Sequence, residues 1–245
     1  MSAKANPIRL ASLAWASLFP KDRHARRVAA WKHGTLPRVP ITDIFPAIHN
    51  TDVNLVRAFD RLPGTSLDVY EITLLAAIVR VMDASNILEI GTFDGNTALN
   101  LAVNTPAEAR ITTVDLPRAW DGQLALEIPK SSRNVTDRSR LGLQYRDTPY
   151  AEKIRQVLAD SATLDWSSFQ KPFDLAFIDG CHHYEYVKSD TRNVRKCLKP
   201  GGVLVWHDYG ESADVSRAVD EAATEMPVKA VSGTRFAIGI NTVNG

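Results

Sequence analysis

Apolar positions in this chain fall into short unbroken runs, most of them closed by an acid or a glycine, with stretches of helical period between them. Asn86–Thr97 (NILEIGTFDGNT) is the reference point: an apolar strand from Ile87 to Ile90, a turn holding Gly91 and Gly95, and a helix from near Asn96. Upstream, Ile72, Leu75, Ala76, Val79 and Met82 recur at the spacing of one helix face. They predict a helix over Glu71–Asp83, with Ser66 or Asp68 as its cap. Downstream, Ala98 to Val103 continue as a helix that Pro106 ends. Further strands are predicted at 110–115, 153–158, 173–179, 203–206, 228–231 and 235–240, with helices at 184–198 and 214–225. Such alternation specifies an α/β fold, a mostly parallel seven-stranded sheet with helices on both faces. The last two strands are joined by a short turn at Gly233, so they form an antiparallel C-terminal hairpin.

The flanks read differently. Leu10–Phe19 and the basic run through Lys21, Arg23, Arg26 and Arg27 predict two N-terminal helices broken at Pro20. They pack on the main domain or a second subunit, with contact at a membrane surface as the sharper alternative. Prolines 37, 40 and 46 mark an irregular connector, Asn54–Leu62 a short helix, and Pro63-Gly64 a turn. The division is therefore an N-terminal helical extension, 1–65, and a main domain, 66–245. The segment 116–153 is long for a connection in such a fold and rich in charge, including Arg133, Asp137, Arg138, Arg140 and Arg146. It reads either as a solvated insertion holding the crossover helix or as a lid over a substrate.

Composition narrows the partners. The 245 residues are 44% hydrophobic with a net charge of +1, enough for a sizeable core and without the basic field that nucleic acid attracts. No apolar run reaches the ~20 residues of a transmembrane helix. Cys181 and Cys197 lack metal-ligand or disulfide spacing and suit a reducing, cytoplasmic setting.

The chemistry collects at the strand ends. Glu89 and Gly91, Asp115, Asp160 and Ser161, Asp179, and His207 with Asp208 all fall at carboxyl ends of predicted strands, the ligand edge of an open α/β sheet. Glycine at 91 and 95 lets the backbone bend and approach a cofactor. Asp115, 24 residues beyond Gly91, is placed to accept hydrogen bonds from the ribose hydroxyls of a nucleoside cofactor. A nicotinamide oxidoreductase is disfavoured, because Gly91-Thr92-Phe93 breaks the G-x-G-x-x-G pattern at its second glycine.

The segments ILEIGTFDG (87–95), TTVDL (112–116), ADS (159–161), FDLAFIDG (173–180) and LKPGGVLVWHD (198–208), with the D-G-x-H-x-Y element at 179–184, resemble a class I S-adenosylmethionine-dependent methyltransferase. The Rossmann-like resemblance spans about 71–240. It is nearest the small-molecule O-methyltransferases related to catechol O-methyltransferase, including those acting on sugars and antibiotic precursors. Phe93 stands where many class I enzymes carry a middle glycine, a departure shared with the catechol branch. The resemblance implies S-adenosylmethionine as cofactor. Glu89, Gly91, Thr92 and Gly95 would lie at its methionine end, Asp115 at the ribose, and Asp160, Ser161 and Ala162 beside the adenine. The bland alternative for Asp160 and Ser161 is an Asx turn or helix cap. A small-molecule acceptor and a homodimer are implied too.

Two routes for removing the acceptor's proton follow. In one, Asp179, His207 and Asp208 hold a divalent ion: magnesium, manganese or another transition metal, the imidazole favouring the last. In the other, His182 or His207 acts as a metal-free base, His182 standing where catechol O-methyltransferase places its lysine. His183 reads as an exposed loop residue, Tyr184 as packing at a helix start, and Asp190 as a cap or surface ion pair. Rival functions are methyl transfer to nitrogen and a non-catalytic binding module on the same fold.

Overall fold

The computed structural model describes residues 32–58, 67–117, 120, 123–128 and 138–242. The expected N-terminal helices, the turn at Pro63-Gly64 and the charged residues Arg133 and Asp137 lie outside the described residues. The strands are β1 (Arg38–Val39), β2 (Asn86–Ile90), β3 (Arg110–Asp115), β4 (Ile154–Leu158), β5 (Phe173–Ile178), β6 (Leu198–Trp206), β7 (Val228–Val231) and β8 (Ala237–Ile240). The helices are α1 (Val69–Val81), α2 (Asn96–Val103), α3 (Leu143–Arg146), α4 (Tyr184–Cys197) and α5 (Ala213–Ala222).

The sheet has eight strands in the order β1-β7-β8-β6-β5-β2-β3-β4, with β8 antiparallel to both its neighbours and every other pairing parallel. The expected count of seven is thus raised by one. The extra strand is β1, two residues between Pro37 and Pro40 that pair with β7 in what reads as connector. Residues 54–58 are not helical; the backbone of Asn54 and Val56 is held instead by the side chains of Asn104, just past α2, and Asn100, within it. Strand β6 begins earlier than its apolar run, since Pro200-Gly201-Gly202 is taken into it with a shift of register against β5.

Two buried clusters sandwich the sheet. One face packs Leu75, Ile78 and Val79 of α1 and Leu99 and Leu101 of α2 on Ile87, Leu175, Phe177 and Val205. The other packs Val187 and Val194 of α4 and Val215 and Val219 of α5 on Leu88, Ala176, Leu204 and Trp206. Both β2 and β5 have side chains in each cluster, so their unbroken apolar runs match strands buried on both faces. Helix α1 starts with a complete capping box, in which the Asp68 carboxylate accepts from the Glu71 N–H and Glu71 reaches back to the Asp68 N–H. Among the described residues, no helix is long and apolar enough to cross a membrane.

Register carries this architecture to the site. Ile90 is level with Val114 on one side and Ile178 on the other, and Ile178 is level with Trp206. The residues that follow, Gly91, Asp115, Asp179 and His207, therefore emerge side by side. Backbone bonds continue past the strands and fix that edge: Gly91 N–H to Val114 C=O (2.9 Å), Asp179 N–H to Ile90 C=O (2.8 Å) and His207 N–H to Ile178 C=O (3.1 Å).

Candidate active site

The glycine turn is shaped by what it must avoid. Gly91 has φ +100°, and a Cβ there would lie 2.2 Å from the Asp179 carbonyl oxygen. Gly95 has φ +83°, and its Cβ would lie 2.5 Å from the Tyr145 ring. Both glycines thus admit neighbouring protein groups: the end of β5 at Gly91, and α3 at Gly95. Phe93, in place of a glycine, still adopts a left-handed φ of 45°. Its N–H donates to Asp115 Oδ2 (2.9 Å), while the Leu116 N–H donates to Oδ1 (2.7 Å). Asp115 is so oriented by the turn it faces.

Below the turn Glu89 is fully buried, with Oε2 accepting from the Thr113 hydroxyl at 2.5 Å. Thr92 and Thr113 share a hydroxyl contact of 2.6 Å, and Glu89 Oε1 has no partner. Burial lifts the Glu89 carboxyl well above the usual range, against the pull of Thr113. At the end of β4, Asp160 Oδ1 accepts from the Ala162 N–H (2.9 Å), the Asx turn weighed as its bland alternative. Its Oδ2 accepts from the Tyr186 hydroxyl (2.8 Å) and the Ala125 N–H (3.0 Å).

Ala125 belongs to the long insertion, and so does α3. The Gly142 N–H donates to Phe93 C=O and the Gln144 N–H to Asp94 C=O, each at 2.8 Å. Two described parts of the 116–153 segment therefore rest on the glycine turn and on Asp160. Sequence gave no sign of either contact, because both are made by backbone groups.

On the other side of β2 the structure separates the two histidines. His207 is 6% exposed. Its Nδ1 lies 2.9 Å from Asp179 Oδ1 and its Nε2 lies 3.2 Å from Glu71 Oε2. Burial disfavours the imidazolium, but Asp179, Asp208 and Glu71 outweigh it and raise the pKa well above that of an ordinary histidine. Neither nitrogen is left to offer a lone pair to an ion or a substrate. Glu71 is 1% exposed and also holds Arg235, through Oε2 to Nη2 (2.6 Å) and Oε1 to Nε (3.1 Å). Burial pushes the Glu71 carboxyl up, but His207 and Arg235 reverse that and hold it far below the usual range. Arg235 continues to Asp208 Oδ1 at 3.1 Å.

His182 faces the open side, with its side chain 42% exposed. Its Nε2 lies 3.2 Å from Asp208 Oδ2 and 3.6 Å from Asp179 Oδ1. One ligand atom each from Asp179, His182 and Asp208 lie within 4.8 Å of one another. Asp208 has a left-handed φ of 56°, a conformation that costs a non-glycine residue and recurs where a side chain is aimed for function. Asp179 and Asp208 thus meet as the sequence suggests, but the third member is His182, and His207 stands behind them. Glu71 and Arg235 had no functional reading in the sequence. His183 is partly buried rather than exposed, directly before α4, with Nε2 4.0 Å from Asp214. Tyr184 packs at the helix start as expected, 8% exposed.

Residues 88–209 match the family model described as a methyltransferase domain. A caffeoyl-CoA O-methyltransferase from Populus kitakamiensis is 24% identical over 75% of this chain and 74% of its own. An Arabidopsis thaliana protein carrying a caffeoyl-CoA O-methyltransferase designation is 33% identical over 69% and 67%. Among solved structures, the O-methyltransferase TomG of Streptomyces achromogenes, in complex with S-adenosylmethionine, superposes with a TM-score of 0.54 at 21% identity, covering 82% of this chain and 96% of that one. A Bacillus cereus O-methyltransferase in complex with S-adenosylhomocysteine gives 0.53 at 16% identity, covering 82% and 97%. With its parallel strand edge, its glycine turn and its facing acids, this chain belongs to the class I S-adenosylmethionine-dependent O-methyltransferases.

Proposed function

We propose that the protein methylates a hydroxyl of a small molecule, with the cofactor across β2, β3 and β4 and the acceptor across β5 and β6. The observation that carries this reading is the convergence of Asp179, His182 and Asp208 one strand away from the glycine turn. Glu89, Gly91, Thr92 and Gly95 would hold the methionine end of the cofactor, Asp115 its ribose, and Asp160, Ser161 and Ala162 its adenine. Glu89 lies beneath the glycine turn at that end, with one carboxyl oxygen left without a partner. A phenolic hydroxyl, as on the caffeoyl-CoA named for the relatives, or a sugar or natural-product hydroxyl is the class of acceptor.

In the reaction the acceptor oxygen attacks the sulfonium methyl carbon. The carbon–sulfur bond breaks, and its electron pair stays on sulfur to leave S-adenosylhomocysteine. The acceptor's proton needs a destination, and His182 provides it. Asp208 and Asp179 hold Nε2–H of the imidazole, which leaves Nδ1 as the accepting nitrogen, the arrangement by which a carboxylate orients a histidine base. His207, gripped by Glu71, holds Asp179 in place from behind. That division of labour departs from the sequence reading, which gave His207 a ligand's or base's part.

The same cluster favours a second reading, a divalent ion held by Asp179, His182 and Asp208. Two carboxylates and one imidazole form a donor set suited to manganese or another transition ion, and less to magnesium. A bound ion there would lower the pKa of the acceptor hydroxyl. Transfer of a labelled methyl group to a panel of phenols, catechols and sugars, with and without a chelator, separates the readings. Turnover that survives chelation and disappears in Asp208→Ala is expected for the histidine base. Turnover abolished by the chelator and restored by manganese selects the ion. Full turnover in Asp208→Ala would dismiss both.

A further inference from the structure

Asp208 is gripped from two sides, and the grips fall on different oxygens. Oδ2 lies 3.2 Å from His182 Nε2, on the open side of the site. Oδ1 lies 3.1 Å from Arg235 Nη1 and 3.5 Å from His207 Nδ1, on the inner side. Asp208 is buried, and its backbone holds a left-handed φ of 56°. A non-glycine residue keeps that conformation only where its surroundings impose it.

Arg235 is itself held at several points. It lies between the turn at Gly233 and β8. Its backbone N–H and its Nε–H both donate to Glu71 Oε1, at 2.8 and 3.1 Å, and Nη2 donates to Glu71 Oε2 at 2.6 Å. Its carbonyl accepts from the Tyr209 N–H at 2.9 Å, so the residue after Asp208 is tied to the same stretch of backbone. A planar guanidinium fixed along one edge by a carboxylate has its third nitrogen fixed as well. That nitrogen, Nη1, faces Asp208 Oδ1 and, at 3.3 Å, the exposed Glu211. Glu71 on α1 thus reaches Asp208 through Arg235.

We propose that Arg235 is a positioning residue for methyl transfer: by taking Asp208 Oδ1 it turns Oδ2 onto His182, and so sets the direction of the histidine's accepting nitrogen. The proposal rests on His182 as the base. Released from Arg235, the Asp208 carboxylate is free to rotate to another side-chain conformer, and the exposed His182 ring loses the partner that orients it. A misplacement of about 1 Å costs on the order of a hundredfold in rate. Lysine cannot replace Arg235, because a single ammonium cannot span Glu71 and Asp208 as the fork does.

The test is methyl transfer, with a chelator present, to whichever of the phenols, catechols and sugars turns over fastest. Arg235→Ala is expected to lower kcat about a hundredfold. The KM for S-adenosylmethionine should stay within about twofold, because β8 is three strands from β2. Arg235→Lys should be nearly as slow, and it carries the test should the alanine variant fail to fold. Added guanidinium should restore most of the lost kcat to Arg235→Ala, whereas urea, a neutral molecule of the same shape, should not. Glu211→Ala, which removes the exposed partner of the same nitrogen, should stay within about twofold of wild type. Wild-type kcat in Arg235→Ala or Arg235→Lys overturns the role, and so does equal rescue by urea, which would reduce Arg235 to packing. Wild type that methylates nothing on the panel under chelation would instead dismiss His182 as the base, and the proposal with it.

Discussion

Replacing His182 with alanine is expected to slow methyl transfer at least about a hundredfold, the usual worth of a positioned base. Affinity for S-adenosylhomocysteine should stay within about twofold, because His182 lies beyond β5 from the cofactor turn. The rate of the unmodified enzyme should climb with pH. His182 must be neutral to take a proton. Burial lowers its pKa, but the neighbouring carboxylates of Asp179 and Asp208 outweigh burial and raise it above 6.5. The acid limb of the pH–rate profile therefore lies above the ordinary histidine value. Stability runs the other way: what these ion pairs contribute is complete below the unfolded pKa and lost as pH rises through the folded one. Turnover unchanged in His182→Ala, under conditions where His207→Ala is inactive, would return the base to His207.

Gly91→Ala is expected to destabilise the fold by on the order of 4 kcal/mol, in the range reserved for changes that force backbone to move. The added methyl would lie 2.2 Å from the Asp179 carbonyl oxygen, a backbone atom that cannot rotate away, at a φ of +100°. Gly201 provides the control. It too has a positive φ, +75°, but a Cβ there would meet nothing within 4 Å. Gly201→Ala should cost only about 1 kcal/mol, the left-handed penalty alone. Urea denaturation of the two variants measures the difference. Equal losses would mean that the approach of β5 to the turn is looser than the geometry indicates.

Much of this was legible from sequence where side-chain pattern alone decides structure. The strands β2, β5 and β6 announced themselves because strands buried in the middle of a sheet must be apolar on both faces. Asp115, Asp179 and Asp208 could be placed at one edge because strand ends in such a sheet lie side by side. Strand β1 was not legible: two residues between prolines carry no period, and only pairing with β7 makes them a strand. A helix is expected somewhere in 116–153, but α3 could not be placed there, because four residues are too few to show a helical period.

The histidines show a different limit. His207 beside Asp208 reads as a ligand pair until Glu71 is brought 136 residues along the chain to its other nitrogen. Glu71 reads as the start of a helix and serves its capping box, but its second use depends on where α1 docks. Asp190 likewise looks like an ordinary helix acid, since nothing local reveals that its face is turned inward.

The central placement, cofactor across β2 to β4 and chemistry across β5 and β6, is tested most directly by titrating S-adenosylhomocysteine into Asp115→Ala and Asp208→Ala. Asp115 is held against the glycine turn by the Phe93 N–H and faces the proposed ribose. Its loss should weaken binding about tenfold or more, as expected for a carboxylate hydrogen-bonded to a ligand. Asp208→Ala should leave affinity within about twofold, since Asp208 follows β6, two strands from β2. Equal affinity in Asp115→Ala and the wild type, or a large loss in Asp208→Ala alone, would contradict that placement.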